Sequence, residues 1–124
     1  MDSTNIELPG STVSAVSVDG DTIRIRFEPA YLIKTMTGSV ERTRWLQNGS
    51  LLFEGAELDQ NQPLPKLPAN CTGGDVGENI YTYRDMIPVP LVSHGSAHCL
   101  LKLGAAQICV HAKAVRLEMD EVPR

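Results

Sequence analysis

Between Thr22 and Pro29 the chain reads TIRIRFEP, with Ile23, Ile25 and Phe27 alternating with Arg24, Arg26 and Glu28. Period-two alternation sends the two sets of side chains to opposite faces of an extended chain. The run therefore predicts a half-buried antiparallel strand with its apolar face on a core. Just upstream, Asp19-Gly20-Asp21 predicts a tight turn, because Gly20 is free to take positive φ. With Gly20 and Asp21 at its centre, Val18 faces Ile23 and Val16 faces Ile25, and the two apolar faces coincide.

Much of the remaining chain reads the same way. SVERTRWLQ predicts a strand over residues 40–47, Asn48-Gly49 a hairpin turn, and SLLFEGAEL the partner strand, with Trp45, Leu52 and Phe53 in the core. Residues 30–38 fit either a strand extension or a short helical turn. Residues 59–78 hold three prolines, three glycines and little periodicity, which predicts a long Pro/Gly-rich surface loop, either functional or covering a sheet edge. NIYTYRDMIPVPLV returns to strand character, and Pro88 and Pro90 mark it as an edge. No segment has apolar residues at helical spacing over three turns with a cap at its start. The fold class expected is all-β, a small antiparallel barrel or sandwich of about six to eight strands joined by hairpins. At 124 residues it forms a single domain.

The segment SHGSAHCLLKLGAAQICVHAK, residues 93–113, holds all three histidines and two of the three cysteines. With Gly104-Ala105 as a two-residue turn, Leu103 faces Ala106, Leu101 faces Ile108 and Cys99 faces Val110, forming one apolar face. The other face pairs Lys102 with Gln107, Leu100 with Cys109 and His98 with His111. Directly opposed residues have Cβ atoms about 4.5–5.5 Å apart, so the two imidazoles can share a metal, with Cys109 diagonal to His98 and His94 just before the strand. The competing reading is a plain strand face. The spacing has no CxxC or HExxH, and a one-residue slip scatters the ligands. Beyond residue 114 the apolar phase shifts to Val115 and Leu117, which predicts a bulge near Ala114–Val115.

Composition narrows the function. The net charge is −4 and no basic patch forms, which argues against nucleic-acid binding. No apolar run approaches the ~18 residues of a membrane span, and the first ten residues lack the basic and apolar regions of a secretory signal. An odd number of cysteines in a chain large enough to fold without staples predicts reduced thiols in a cytoplasm. A Cys–His nucleophilic pair lacks an oxyanion hole and an orienting acid, and the acid pairs Glu54/Glu57 and Asp75/Glu78 read as solvated charge. CTGGDVG lacks the lysine of a phosphate loop. Tyr31, Tyr81 and Tyr83 beside Pro29, Pro88 and Pro90 suit either a contact surface or caps on the core.

IRFEPAY (25–31), WLQNGSLLFEGAEL (45–58), PLPKLP (63–68), YRDMIPVPL (83–91) and VRLE (115–118) resemble a family of small bacterial β-domain proteins of uncharacterised activity, of a type found on mobile gene cassettes. The resemblance implies a shared β fold and supplies no activity. The sequence departs from that pattern at ANCTGGDVGENI and in the histidine-bearing hairpin. The leading expectation is a non-enzymatic binding module without a cofactor, using Tyr31, Tyr81, Tyr83, Pro88 and Pro90, self-associating as a homodimer or higher homo-oligomer. A metal-dependent enzyme or metal-binding protein using His98, His111, Cys109 and His94 is the alternative. A small-molecule carrier with a barrel cavity is a third reading. It would require that large side chains such as Ile25, Phe27, Trp45 and Phe53 not fill the lumen.

Overall fold

A computed structural model describes residues 3–36, 38, 42–59 and 64–120. The fold is all-β, as the alternation predicts, with eleven strands in one antiparallel curled sheet that forms a half-barrel. They are β1 (Ser3–Glu7), β2 (Thr12–Asp19), β3 (Thr22–Thr35), β4 (Arg42–Glu54), β5 (Glu57–Leu58), β6 (Ala69–Asn70), β7 (Gly73–Glu78), β8 (Tyr81–Arg84), β9 (Met86–Val89), β10 (Val92–Leu103) and β11 (Ala106–Met119). The count exceeds the expected six to eight because long runs are broken at bends, such as Gly55-Ala56 between β4 and β5 and Asp85 between β8 and β9.

The wall runs β2-β3-β4-β11-β10-β7-β8. The first hairpin has the predicted register, Val18 opposite Ile23 and Val16 opposite Ile25. Val18 nevertheless projects past the core and stays exposed. Residues 30–35 extend β3, which resolves the ambiguity there in favour of strand. After an irregularity between Phe27 and Ala30, β3 exchanges its partner β2 for β1, which also pairs with β9. The inward positions carry Ile6, Ile25, Phe27, Leu32, Leu51, Phe53, Ile87, Leu101 and Ile108, all fully buried.

Two predicted features are corrected. Asn48-Gly49 is no hairpin turn, because β4 runs straight through it and SLLFE continues the same strand. Gly49 is there because β11 packs close: a Cβ would come within 2.6 Å of Met119 Sδ. Residues 69–70 and 73–78 are not loop but strands β6 and β7, with Gly73, Gly74, Val76 and Gly77 buried. Residues 64–68 do lie outside any strand. Residues 60–63, and Val40 and Glu41 of the predicted strand, fall outside the described residues.

That glycine-rich segment bridges the open side of the half-barrel. Thr12 and Val13 of β2 pair with β6, while β7 pairs with β10 from Ala97 to Lys102. At Gly74 a Cβ would overlap the Leu100 carbonyl oxygen, so only glycine lets the strands approach this closely. Asp85 makes the next link. Its amide donates to the Gly74 carbonyl at 2.7 Å, its carbonyl accepts from Leu8 N–H at 2.9 Å, and its Oδ1 accepts from Gly74 N–H at 2.9 Å.

Candidate functional site

The β10–β11 hairpin has the predicted register throughout its upper half: Cys99 opposite Val110, Leu101 opposite Ile108 and Leu103 opposite Ala106 on the core side. On the outer side His98 lies opposite His111, and Leu100 opposite Cys109. A register shift falls between His94 and Ala97, opposite Ala112–Ala114, next to where the apolar phase changes. This shift removes His94 from the cluster. It faces Ala114 and lines a separate groove of about 210 Å³ with Glu54, Val92 and Arg116.

Cys109 Sγ and His111 Nε2 are 3.8 Å apart on the outer face of β11. His98 does not join them: a Cβ built at Gly77, its neighbour on β7, would overlap the His98 ring, so the imidazole lies in the space that glycine leaves. As they stand, the described residues hold no group of three metal-ligating side chains. Burial, with a smaller contribution from the Asp59 carboxylate, pushes the Cys109 thiol up, which disfavours the thiolate a nucleophile needs. Cys71 and Cys99 are buried and free, and both thiols are pushed up, chiefly by burial.

Beside His111 the wall splits. At Gly55, with φ of 58°, the chain leaves β11 and returns as β5, where Glu57 faces His111. The gap forms an open groove of about 450 Å³ lined by Asp21, Glu57, His111 and Lys113, with Ala56 N–H donating to the Asp21 carbonyl at 2.8 Å. No local pattern announces it, because the groove depends on where β4 leaves a strand that lies more than 50 residues ahead in the chain.

The tyrosines and prolines do not form one surface. Tyr83 packs partly against the core and its hydroxyl donates to Glu78 Oε1 at 3.1 Å, while Tyr81 is exposed. Pro90 is exposed beyond the end of β9. Tyr31 and Pro88 do share a face, the outer side of β4, β3, β1 and β9. One row across it reads Leu46, Tyr31, Glu7, Met86, and the next Arg44, Ile33, Asn5, Pro88. Leu46 is 58% exposed there. Leu46, Ile33 and Met86 were missed by sequence reasoning. The signal available was Leu32-Ile33, two consecutive apolar residues in a strand, of which one must face outward.

Farther along β3 and β4 the outer face is charged. Arg116 pairs with Glu54 at 3.1 Å, Arg26 with Glu28 at 2.8 Å and Arg24 with Glu118 at 3.6 Å. Among the described residues, no helix is long and apolar enough to cross a membrane. No family model, curated protein or solved structure matches the chain.

Proposed function

We propose that the protein is a non-enzymatic interaction module that self-associates through the outer face of β4, β3, β1 and β9. One observation supports this reading above the others: the exposed Leu46 and the half-buried Tyr31, Met86 and Pro88 stand around a buried Ile33 at outward positions of a sheet whose outward face is ordinarily polar. The same two strands carry an ion-paired face only a few residues away, so the apolar character is local to this patch. An exposed apolar patch rimmed by polar groups marks a contact site.

The occupant is a second copy of the chain. Arg44 and Glu7 lie on this face two strands apart, and neither takes part in an ion pair among the described residues. A two-fold axis repeats the same patch on both copies and lets each Arg44 meet the other copy's Glu7. The carrier reading is weakened by the buried Phe27, Phe53, Ile25 and Leu101, which fill inward positions where a ligand would sit. The three free thiols suit a reducing compartment, the cytoplasm.

Sedimentation velocity across the micromolar range tests this. The wild-type chain is expected to sediment as a dimer and Leu46→Glu as a monomer. Arg44→Glu alone weakens the dimer, and adding Glu7→Arg restores it. A monomeric wild-type protein, or a Leu46→Glu variant that still dimerises, would overturn the assignment.

A further inference from the structure

We propose that Cys109, His111 and His98 form a Cu(I) site on the outer face of β10 and β11, completed when the His98 ring swings off Gly77. Two donors are already placed. Cys109 Sγ and His111 Nε2 stand 3.8 Å apart, and metal bonds of about 2.3 Å to sulfur and 2.0 Å to nitrogen let one ion join donors at that separation. The third donor is one rotation away. His98 is directly opposite His111, a relation that places the Cβ atoms about 4.5–5.5 Å apart. Its ring now rests over Gly77, where no side chain competes for the space.

The donor set selects the ion. One thiolate and two imidazoles make a soft-to-borderline trio, which suits Cu(I). Structural zinc takes four ligands, and the remaining histidine, His94, is held in a different groove beyond the register shift. The nearby carboxylates of Glu57, opposite His111, and Asp59, beside Cys109, are hard donors that Cu(I) does not need, so a one-to-one Zn(II) complex lost in Glu57→Gln would overturn the choice of ion. Binding requires no redox step. As the Cu–S bond forms, the Cys109 proton leaves to solvent, and the ion enters and stays as Cu(I). The site lies on the β7–β10–β11 side of the wall, away from the face proposed for self-association, so the two readings stand or fall separately.

Gly77 supplies the discriminating variant. Its backbone does not need positive φ, and the atoms an added methyl would meet are those of the His98 ring. Gly77→Ala therefore displaces that ring from its resting place and favours the position facing His111.

The test is an anaerobic titration of the full chain with Cu(I), kept reduced by ascorbate, against bicinchoninate as chromophoric competitor. One Cu(I) per chain is expected. Cys109→Ser abolishes it, His111→Ala and His98→Ala each weaken it roughly tenfold or more, and Gly77→Ala tightens it. Equal affinity in the wild type and both histidine variants would reduce the site to a bare thiol and overturn the proposal. So would a wild-type chain that cannot compete with bicinchoninate, or a Cys109→Ser chain that binds as well. If Gly77→Ala loses its native circular dichroism, the two surface histidine variants still decide the matter.

Discussion

Arg26 shows how much one outward-facing side chain can tie together. Its Nη1 donates to Asp120 Oδ1 at 2.9 Å and to Ser50 Oγ at 3.3 Å, and its Nε donates to Glu28 Oε1 at 2.8 Å. Asp120 in turn donates its amide to the Asn48 carbonyl at 2.9 Å, so the end of β11 is tied to β4 as well. The alternation in TIRIRFEP placed Arg26 on the outer face, but a partner 94 residues away is invisible in that pattern. The hydrogen bonds from Arg26 hold the Asp120 carboxyl below its ordinary range, outweighing the smaller opposing effect of desolvation. A carboxyl depressed in the folded state stabilises the fold above its unfolded value, about 3.9, and loses that stabilisation as pH falls through its folded value. Asp120→Asn should therefore flatten the acid limb. Urea midpoints measured between pH 7 and pH 2 should fall less steeply for the variant than for the wild type, with the small gap between them constant at neutral pH and closing below about pH 4. Parallel curves would mean that Arg26 does not act on this carboxyl. The pair is solvent-exposed, so the effect at neutral pH is small.

Strands differ in how openly the sequence declares them. The β10–β11 register was legible because both determinants are local: a two-residue turn at Gly104-Ala105 and an apolar alternation that matches across it. β7 is hidden in the sequence because GGDVGE has the composition of a loop. Its glycines answer to residues distant in the chain, Gly74 to the backbone of Leu100 and Leu101, and Gly77 to His98. Gly49 misled for the same reason, its neighbour being Met119. The histidine cluster is half legible: the His98–His111 opposition is there, but the resting place of His98 depends on β7, a strand with the composition of a loop. Two glycine substitutions separate these cases. Gly104 has φ of 68° and open space around it, so Gly104→Ala carries only the left-handed penalty of about 1–2 kcal/mol. Gly74, at φ of 150°, carries a backbone penalty of its own, and Gly74→Ala in addition places a methyl against backbone that cannot rotate away, so β7 must draw back from β10. Its cost should be roughly 3 kcal/mol or more, in the upper range for point mutations. Equilibrium urea unfolding of both variants checks the order, and a Gly74→Ala cost no larger than that of Gly104→Ala would show that the close approach is not what the glycine serves.

For the molecule as a whole, the topology separates early contacts from late ones. Ile25 faces Val16 across a tight hairpin and Leu51 on β4, all within one stretch of the chain. Ile87 faces Ile6, at the other end of a far longer loop, on β9, which follows the segment that bridges the half-barrel's open side and is tied to it through Asp85. Closing a long loop costs chain entropy before its contacts repay it, so folds dominated by such pairings assemble in milliseconds to seconds. The local hairpins are expected to be present in the transition state and the bridge formed after it. Ile→Val offers a matched probe, since both side chains are fully buried and each substitution removes one methylene, at about 0.5–1.5 kcal/mol. A loss near 1 kcal/mol is about a fivefold change in rate if it falls on one limb. Ile25→Val should appear mainly as slower folding, and Ile87→Val mainly as faster unfolding with the folding rate nearly unchanged. Stopped-flow chevrons in urea read both limbs directly. If Ile87→Val slows folding as much as Ile25→Val does, the bridge is already formed at the barrier, and closure of the half-barrel is part of the nucleus rather than its last step.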